Sequence, residues 1–306
     1  MKVCFIGLGS IARRHILNLK RILGNGISVD VVRSGNGNKL DEEFSKNLSN
    51  VYFSYEDLSE KYDAVFITNP TSKHYETLKK YLDKSDNFFI EKPVFETGEE
   101  DISMFTNAKK VFYVACPLRY TNVIQYLKEN IDFSKVYSMR CISSSYLPDW
   151  RPGTDYRNTY SAHKELGGGV SIDLIHEWDY IHYLIGSPDS VKSIISKKSD
   201  LEINSDDIAV YIAEYEDKIV ELHLDYFGRE TIRRIELYTE NDTIFADLIN
   251  QKVKYLKSGK EVDLSQDRNE FQTRELQHFI DIINGKDICD NDLIEACGIL
   301  RITRGY

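Results

Sequence analysis

The chain predicts an α/β protein of two domains. The first is built on a parallel, doubly wound sheet, and the second is an α+β domain on a largely antiparallel, open sheet. Three observations predict this. Residues 3–9, Val-Cys-Phe-Ile-Gly-Leu-Gly, form an apolar strand that breaks at glycines and runs into the helical Ser10-Ile11-Ala12. Short apolar strands then alternate with amphipathic helical stretches, the pattern of a parallel sheet with helices on both faces. In the second half, strand-like runs are joined by short polar turns that suit antiparallel hairpins.

In the first half, strands are expected at 2–7, 27–33, 50–53, 64–69, 87–91 and 111–115, with helices such as Ile11–Leu23 and His74–Leu82 between them. This domain is placed at 1–120 and the second at 121–306. The second opens with a helix, Thr121–Asn130, a strand, 135–146, and a loop, 147–165, rich in Pro, Gly, Asp, Arg and aromatics. One helix is expected from Val170 to Ile185, then strands near 191–197, 207–215, 219–226, 231–239 and 243–248. Two helices, 268–284 and 291–303, close the chain.

Bulk properties narrow the function. The 306 residues suffice for two domains, and 42% hydrophobic with 29% charged residues is a soluble globular mixture. Nothing approaches the roughly 18 apolar residues of a membrane span. The net charge of −10, from 39 basic and 49 acidic side chains, argues against a broad nucleic-acid surface. It leaves room for an anionic cofactor held by local amides and a cation or two. The N-terminus starts directly on the first strand with no leader pattern. Cys4, Cys116, Cys141, Cys289 and Cys297 are scattered, and read as thiols of a reducing compartment, not a disulfide framework. A cytoplasmic protein is expected.

The first motif fits a dinucleotide. Gly7 permits a tight turn, Gly9 lets the backbone approach a pyrophosphate, and Ala12 lets the helix pack closely on the strand. The amides at Ser10 and Ile11 and the positive end of the helix then face the phosphates. After the second strand comes Arg33-Ser34-Gly35-Asn36-Gly37-Asn38-Lys39, with no carboxylate at the strand tip and Asp30 back inside the strand. Arg33, Ser34 and Lys39 suit a 2′-phosphate, which favours NADP over NAD. Asn69, Pro70 and His74 follow the fourth strand and Glu91-Lys92 ends the fifth. Both lie at the carboxyl edge where such sheets bind ligands, so these five residues join the expected cofactor contacts.

Further signatures follow in order. Thr68-Asn69-Pro70-Thr71-Ser72-Lys73-His74 comes first, then Glu91-Lys92-Pro93 and Pro117-Leu118-Arg119-Tyr120. Last is Gly167-Gly168-Gly169-Val170-Ser171-Ile172-Asp173, leading into His176-Glu177-Trp178-Asp179. With Gly7-x-Gly9-x-x-Ala12-x-x-His15, the set resembles the Gfo/Idh/MocA oxidoreductases over nearly the whole chain. The resemblance implies a Rossmann domain followed by a domain whose open sheet often serves oligomer contacts. It implies NAD or NADP and a sugar, sugar derivative or cyclic polyol as substrate. It carries the family's lysine to Lys92 and its helical acid and histidine to Asp173 and His176. The family pattern places four steps between that acid and histidine, whereas here there are three. Which of Asp173 and Asp179 faces the substrate is therefore open.

Oxidising an alcohol needs a base for the hydroxyl proton as hydride leaves. Lys92 sits at the ligand edge with Pro93 fixing the backbone after it. An imidazole, with an ordinary pKa near 6.5, makes His176 the proton partner, and Asp173 orients it or binds a hydroxyl. The row Asp173, His176, Asp179, His182 is not expected to hold a metal. Trp150, Arg151, Tyr156 and Tyr160 mix aromatics with cations and suit sugar stacking and anionic groups. Arg119, Tyr120 and Asp179 complete the expected substrate contacts, Arg119 and Tyr120 at the junction of the domains. A small-molecule substrate, no nucleic acid and no membrane are expected, and the resemblance implies a homodimer or homotetramer through the second sheet. The competing reading is a non-catalytic dinucleotide-binding sensor or co-regulator. Lys92, Asp173 and His176 together favour catalysis.

Overall fold

The computed structural model describes residues 1–35, 40–58 and 60–305. By backbone packing the chain divides into two units, Met1–Pro117 with Gln272–Gly298, and Leu118–Phe271 with Ile299–Tyr306. Residues 272–298 thus join the first unit, although sequence order places them with the second. Phe279 supplies the reason, because its ring packs 5.6 Å from Phe66 and 5.3 Å from Phe89.

The first unit carries β1 (Lys2–Ile6), α1 (Ser10–Leu23), β2 (Ser28–Val32), α2 (Glu42–Ser45), β3 (Asn50–Tyr52) and β4 (Ala64–Ile67). Then come α3 (His74–Tyr81), β5 (Asn87–Ile90), α4 (Ser103–Thr106) and β6 (Val111–Val114). The six strands pair in parallel in the order β3-β2-β1-β4-β5-β6, the doubly wound arrangement expected. Phe5, Phe66, Phe89 and Tyr113 stand opposite one another on β1, β4, β5 and β6. Their rings pack in a row across the sheet, the first two pairs stacked at 4.4 and 5.1 Å and the third tilted at 5.5 Å. All four are fully buried, each contributing about 1.5–3 kcal/mol to folding.

The second unit begins with α5 (Asn122–Asn130) and β7 (Val136–Tyr146). After short turns come α6 (Val170–Asp173) and α7 (His176–Ile185). Strands β8 (Ser190–Ser196), β9 (Ile208–Glu214), β10 (Ile219–Asp225), β11 (Phe227–Thr239), β12 (Thr243–Asp247), β13 (Lys252–Tyr255) and β14 (Glu261–Asp263) follow. The sheet order is β14-β13-β12-β11-β7-β10-β9-β8, antiparallel except for the β10–β7 pair. One face alternates Ala209, Tyr211 and Ala213 with Val220, Leu222 and Leu224, all buried, and the other presents Ile194, Ile212 and Ile219 to solvent. Helices α8 (Glu270–Ile283) and α9 (Leu293–Arg304) end the chain.

The single helix expected over 170–185 is instead two. The helical ladder lapses at Leu174–Ile175, where three-step bonds replace it, Ile175 N to Ile172 O at 3.3 Å and Glu177 N to Leu174 O at 3.2 Å. The apolar side chains of this turn are both buried, so packing fixes the break. Asp173 closes one helix and His176 opens the next, and the rule that three-step neighbours share a helical face does not apply to them. Strands β13 and β14 are additions the sequence pattern did not signal.

Candidate active site

The strand-to-helix turn after β1 is shaped by backbone contact. Gly7 sits at φ +97°, and a Cβ there would come within 2.8 Å of the Asn69 nitrogen. Thr68 Oγ1 donates to the carbonyls of Ile6 and Gly7 at 3.2 and 3.1 Å, locking the turn against β4. Gly9 is different, for a Cβ there would meet nothing within 4 Å. The 14-residue helix α1 starts behind Gly9 with no side-chain cap and no acid in its first turn. Its first amides, at Ser10 and Ile11, remain available to an anion. Ala12 is fully buried where the helix meets the sheet.

At the tip of β2, Arg33 and Ser34 follow directly, and Arg33 is anchored by its amide to Tyr52 O at 2.9 Å. Asp30 lies inside the strand, fully buried, accepting from Asn50 Nδ2 at 2.9 Å and Tyr62 Oη at 3.0 Å. It is thus not offered at the tip. Lys39, the other cation expected here, lies with Asn36, Gly37 and Asn38 outside the described residues.

The carboxyl ends of β4 and β5 carry the remaining groups. Asn69 donates Nδ2 to Thr77 Oγ1 at 2.7 Å, while its buried Oδ1 has no hydrogen-bond partner among the described residues. Pro70 beside it is exposed. The His74 ring nitrogens lie 2.9 Å from the Asn69 carbonyl oxygen and 3.1 Å from that of Val94, and burial lowers its pKa. Its ring therefore braces two backbone loops. Glu91 is tied by its amide to Ile67 O at 3.0 Å and by Oε1 to His15 Nε2 at 2.5 Å. Burial works against the Glu91 carboxylate, but the His15 bond and nearby positive charge, Lys92 included, hold its pKa below the ordinary value. Lys92 is partly exposed, and its peptide bond to Pro93 is cis. An open Gly9, an uncapped helix and an orphaned Asn69 oxygen fit a bound dinucleotide.

In the second unit a glycine run precedes α6. A Cβ on Gly168 would overlap the Tyr160 carbonyl, at 2.0 Å, so this run brings the loop against the helix start. Asp173, 7% exposed, accepts from Tyr226 Oη at 2.5 Å, and Tyr226 in turn meets the Trp150 ring edge-on at 5.2 Å. Trp150 donates Nε1 to Ser145 Oγ at 2.9 Å. Tyr226 was not among the expected site residues, since nothing in its local pattern marks it. His176 is the one residue between 168 and 181 that is not buried. Asp179 is held in a two-pronged pair with Arg119, Nε to Oδ2 at 3.0 Å and Nη2 to Oδ1 at 2.8 Å. Arg119 is 1% exposed, so the two side chains serve each other. Tyr120 beside it is partly exposed. Arg151 lies 5.8 Å from the Tyr160 ring, and Tyr156 Oη accepts from Glu202 N at 3.2 Å. Among the described residues no three His, Cys, Asp or Glu side chains gather to hold a metal ion.

A doubly wound parallel sheet with this turn, followed in the chain by a unit on an open, largely antiparallel sheet, has the strand order of a Rossmann domain. Residues 1–115 match the model of the oxidoreductase family with an NAD-binding Rossmann fold, and residues 124–245 match the GFO/IDH/MocA C-terminal domain. The chain belongs to the Gfo/Idh/MocA family. It is 26% identical over 214 residues to the inositol 2-dehydrogenase/D-chiro-inositol 3-dehydrogenase of Lacticaseibacillus casei, covering 67% of this chain and 59% of that protein. The chain spans about half the length of the curated relatives it matches. Among solved structures, UDP-N-acetylglucosamine 3-dehydrogenase from Acidithiobacillus ferrooxidans superimposes with TM-score 0.79 at 20% identity, over 99% of this chain and 95% of that one. A levoglucosan dehydrogenase complexed with NADH and levoglucosan gives 0.82 at 16% identity, over 100% and 95%. These likenesses define the fold. No described helix is long and apolar enough to cross a membrane.

Proposed function

We propose that the protein is a nicotinamide-dependent dehydrogenase. Its hydride passes between the cofactor and a hydroxyl-bearing carbon of a sugar, a sugar derivative such as a nucleotide sugar, or a cyclic polyol. The observation that carries this reading is Lys92, partly exposed just past the carboxyl end of β5 and following Glu91, which is bonded to the buried His15. The dehydrogenases of inositol, levoglucosan and UDP-N-acetylglucosamine among its relatives support the substrate class.

The pyrophosphate rests on the Gly7–Ala12 turn and the first amides of α1, and Asn69 and Pro70 border it. Arg33 and Ser34 take a 2′-phosphate, which makes NADP the preferred form. A bound nicotinamide supplies the hydride acceptor. Lys92 takes the hydroxyl proton as the C–H bond gives up its hydride, and His176 passes that proton on. Asp173, positioned by Tyr226, orients His176 or a substrate hydroxyl. Tyr120, Trp150, Arg151, Tyr156 and Tyr160 bind the sugar, while the Arg119–Asp179 pair braces the helix that carries His176. The open sheet face serves a homodimer or homotetramer, and the protein works in the cytoplasm.

The test is turnover. The purified protein is mixed with NADP⁺ or NAD⁺ and a panel of pyranoses, inositols and UDP-sugars, and the near-ultraviolet nicotinamide absorbance is followed. Reduction with at least one substrate is expected. Tight cofactor binding with no reduction across the panel contradicts catalysis and favours the sensor.

A further inference from the structure

We propose that Arg233 is a specificity-determining residue, whose guanidinium binds two adjacent oxygens of the substrate. The inference rests on the dehydrogenase reading above and deepens it at a residue with no assigned part. Tyr211, Leu222, Cys141 and Ile235 stand side by side across β9, β10, β7 and β11, all buried. Helix α7 covers this face, since its Trp178 meets the Tyr211 ring edge-on at 5.4 Å. Arg233 lies two places before Ile235 on β11, opposite Ser143, and so belongs to the same face. A cation in a row that alternation reserves for apolar side chains needs an acid. Glu177 of α7 supplies it, fully buried and accepting from Arg233 Nε at 2.7 Å.

This pair differs from Arg119–Asp179, in which two bonds satisfy both partners. Glu177 makes one bond, and its buried Oε2 has no hydrogen-bond partner among the described residues. The Nε bond holds the guanidinium and leaves its far end, Nη1 and Nη2, with no acceptor among the described residues. The side chain is 23% exposed, so that end is open to solvent. Two parallel N–H groups in a plane match two adjacent acceptor oxygens, which an ammonium does not. The surroundings are those of the candidate site. Glu177 follows His176 directly on α7. Two places along β7 from Ser143, Ser145 accepts from Trp150, which meets Tyr226, which in turn holds Asp173. One end of this sheet face therefore gathers Arg233 with Trp150, Tyr226 and Asp173, beneath the helix that His176 opens. Glu177 balances the guanidinium, so the guest need carry no charge. The vicinal hydroxyls of a pyranose or an inositol offer the oxygen pair, as does the carboxylate of a uronic acid.

The test measures binding and does not depend on turnover. Full-length protein with saturating NADP⁺ or NAD⁺ is titrated calorimetrically with myo-inositol, D-glucuronate and UDP-N-acetylglucosamine. R233K keeps the charge that Glu177 needs but loses the fork. Its thermal midpoint is expected to stay near wild type while the dissociation constant of the bound ligand rises about tenfold. R233Q gives at least that loss, and if it does not fold, R233K still decides. Deoxy analogues of the inositol or the UDP-sugar test a diol, and D-glucose set against D-glucuronate tests a carboxylate. The analogue that lacks the oxygen pair binds wild type about tenfold more weakly and R233K no more weakly than the parent ligand does. R233K within twofold of wild type for every ligand overturns the inference, as does a wild type that binds none of the three. An R233K loss that is the same for every analogue makes Arg233 a packing residue and also overturns it. Cofactor reduction is followed on the same samples. Binding that R233K weakens, with no reduction, sinks the dehydrogenase reading and leaves Arg233 its part, whereas reduction with an unaffected R233K does the reverse.

Discussion

Arg119 and Asp179 grip each other through two hydrogen bonds of 3.0 and 2.8 Å, both side chains almost wholly removed from solvent. Motif position and the resemblance suggested substrate contacts. The geometry gives them a mutual role. Removing one partner leaves a charge buried, so R119A or D179N is expected to lower stability by about 3–5 kcal/mol. R119K fails to restore it, because an ammonium cannot span both oxygens. Urea denaturation measures this, and a loss under about 1 kcal/mol would contradict it.

The two glycines of the first motif should separate in experiment. G7A places a side chain at φ +97° and against the Asn69 backbone, so it loses about 1–3 kcal/mol of stability. G9A fills open space and leaves the thermal midpoint unchanged, yet weakens cofactor binding tenfold or more, on the order of 1.4 kcal/mol. Calorimetry and fluorescence titration distinguish the two. Equal effects of both substitutions on stability would refute the assignment of Gly9 to the pyrophosphate.

Cofactor choice turns on Arg33. R33A is expected to weaken NADPH binding about tenfold and leave NADH within twofold. Comparable losses for both cofactors would place Arg33 elsewhere than at a 2′-phosphate.

His278 binds the loop after α8, its Nδ1 2.9 Å from Asp287 and Nε2 3.0 Å from Asp290. Burial pulls its pKa down, but Asp290 and then Asp287 more than reverse this and the value is raised. A group raised in the folded state stabilises fully below its unfolded pKa, near 6.5, and that contribution disappears as pH climbs through the folded value. H278N should therefore cost about 1 kcal/mol at slightly acid pH and little in alkaline solution, the carboxylates being partly exposed. A deficit that grows with pH would reverse the assignment.

Much of this was legible because it is local. The β1–α1 turn, the strands of the first sheet and the alternation in β9 and β10 are written in short patterns of glycine and apolar spacing. The rest depends on distant partners. Phe279 belongs to the first unit because its ring fits beneath Phe66 and Phe89, which no pattern around 279 reveals. The break at Leu174–Ile175 has no glycine or proline to announce it and is set by burial of both side chains. Tyr226 reaches Asp173 across 53 positions, and local spacing does not encode such a bond. The short strands β13 and β14 at one end of the second sheet are too brief and too polar for periodicity to register.

The amine at the end of β5 is the point on which the catalytic account stands. The deciding measurement compares steady-state reduction of NADP⁺ by wild type and K92A on a substrate the panel identifies, with cofactor affinity measured alongside. The account predicts that kcat falls about 10²- to 10⁴-fold while the dissociation constant for the cofactor stays within a few fold. A K92A protein that turns over near the wild-type rate would contradict it.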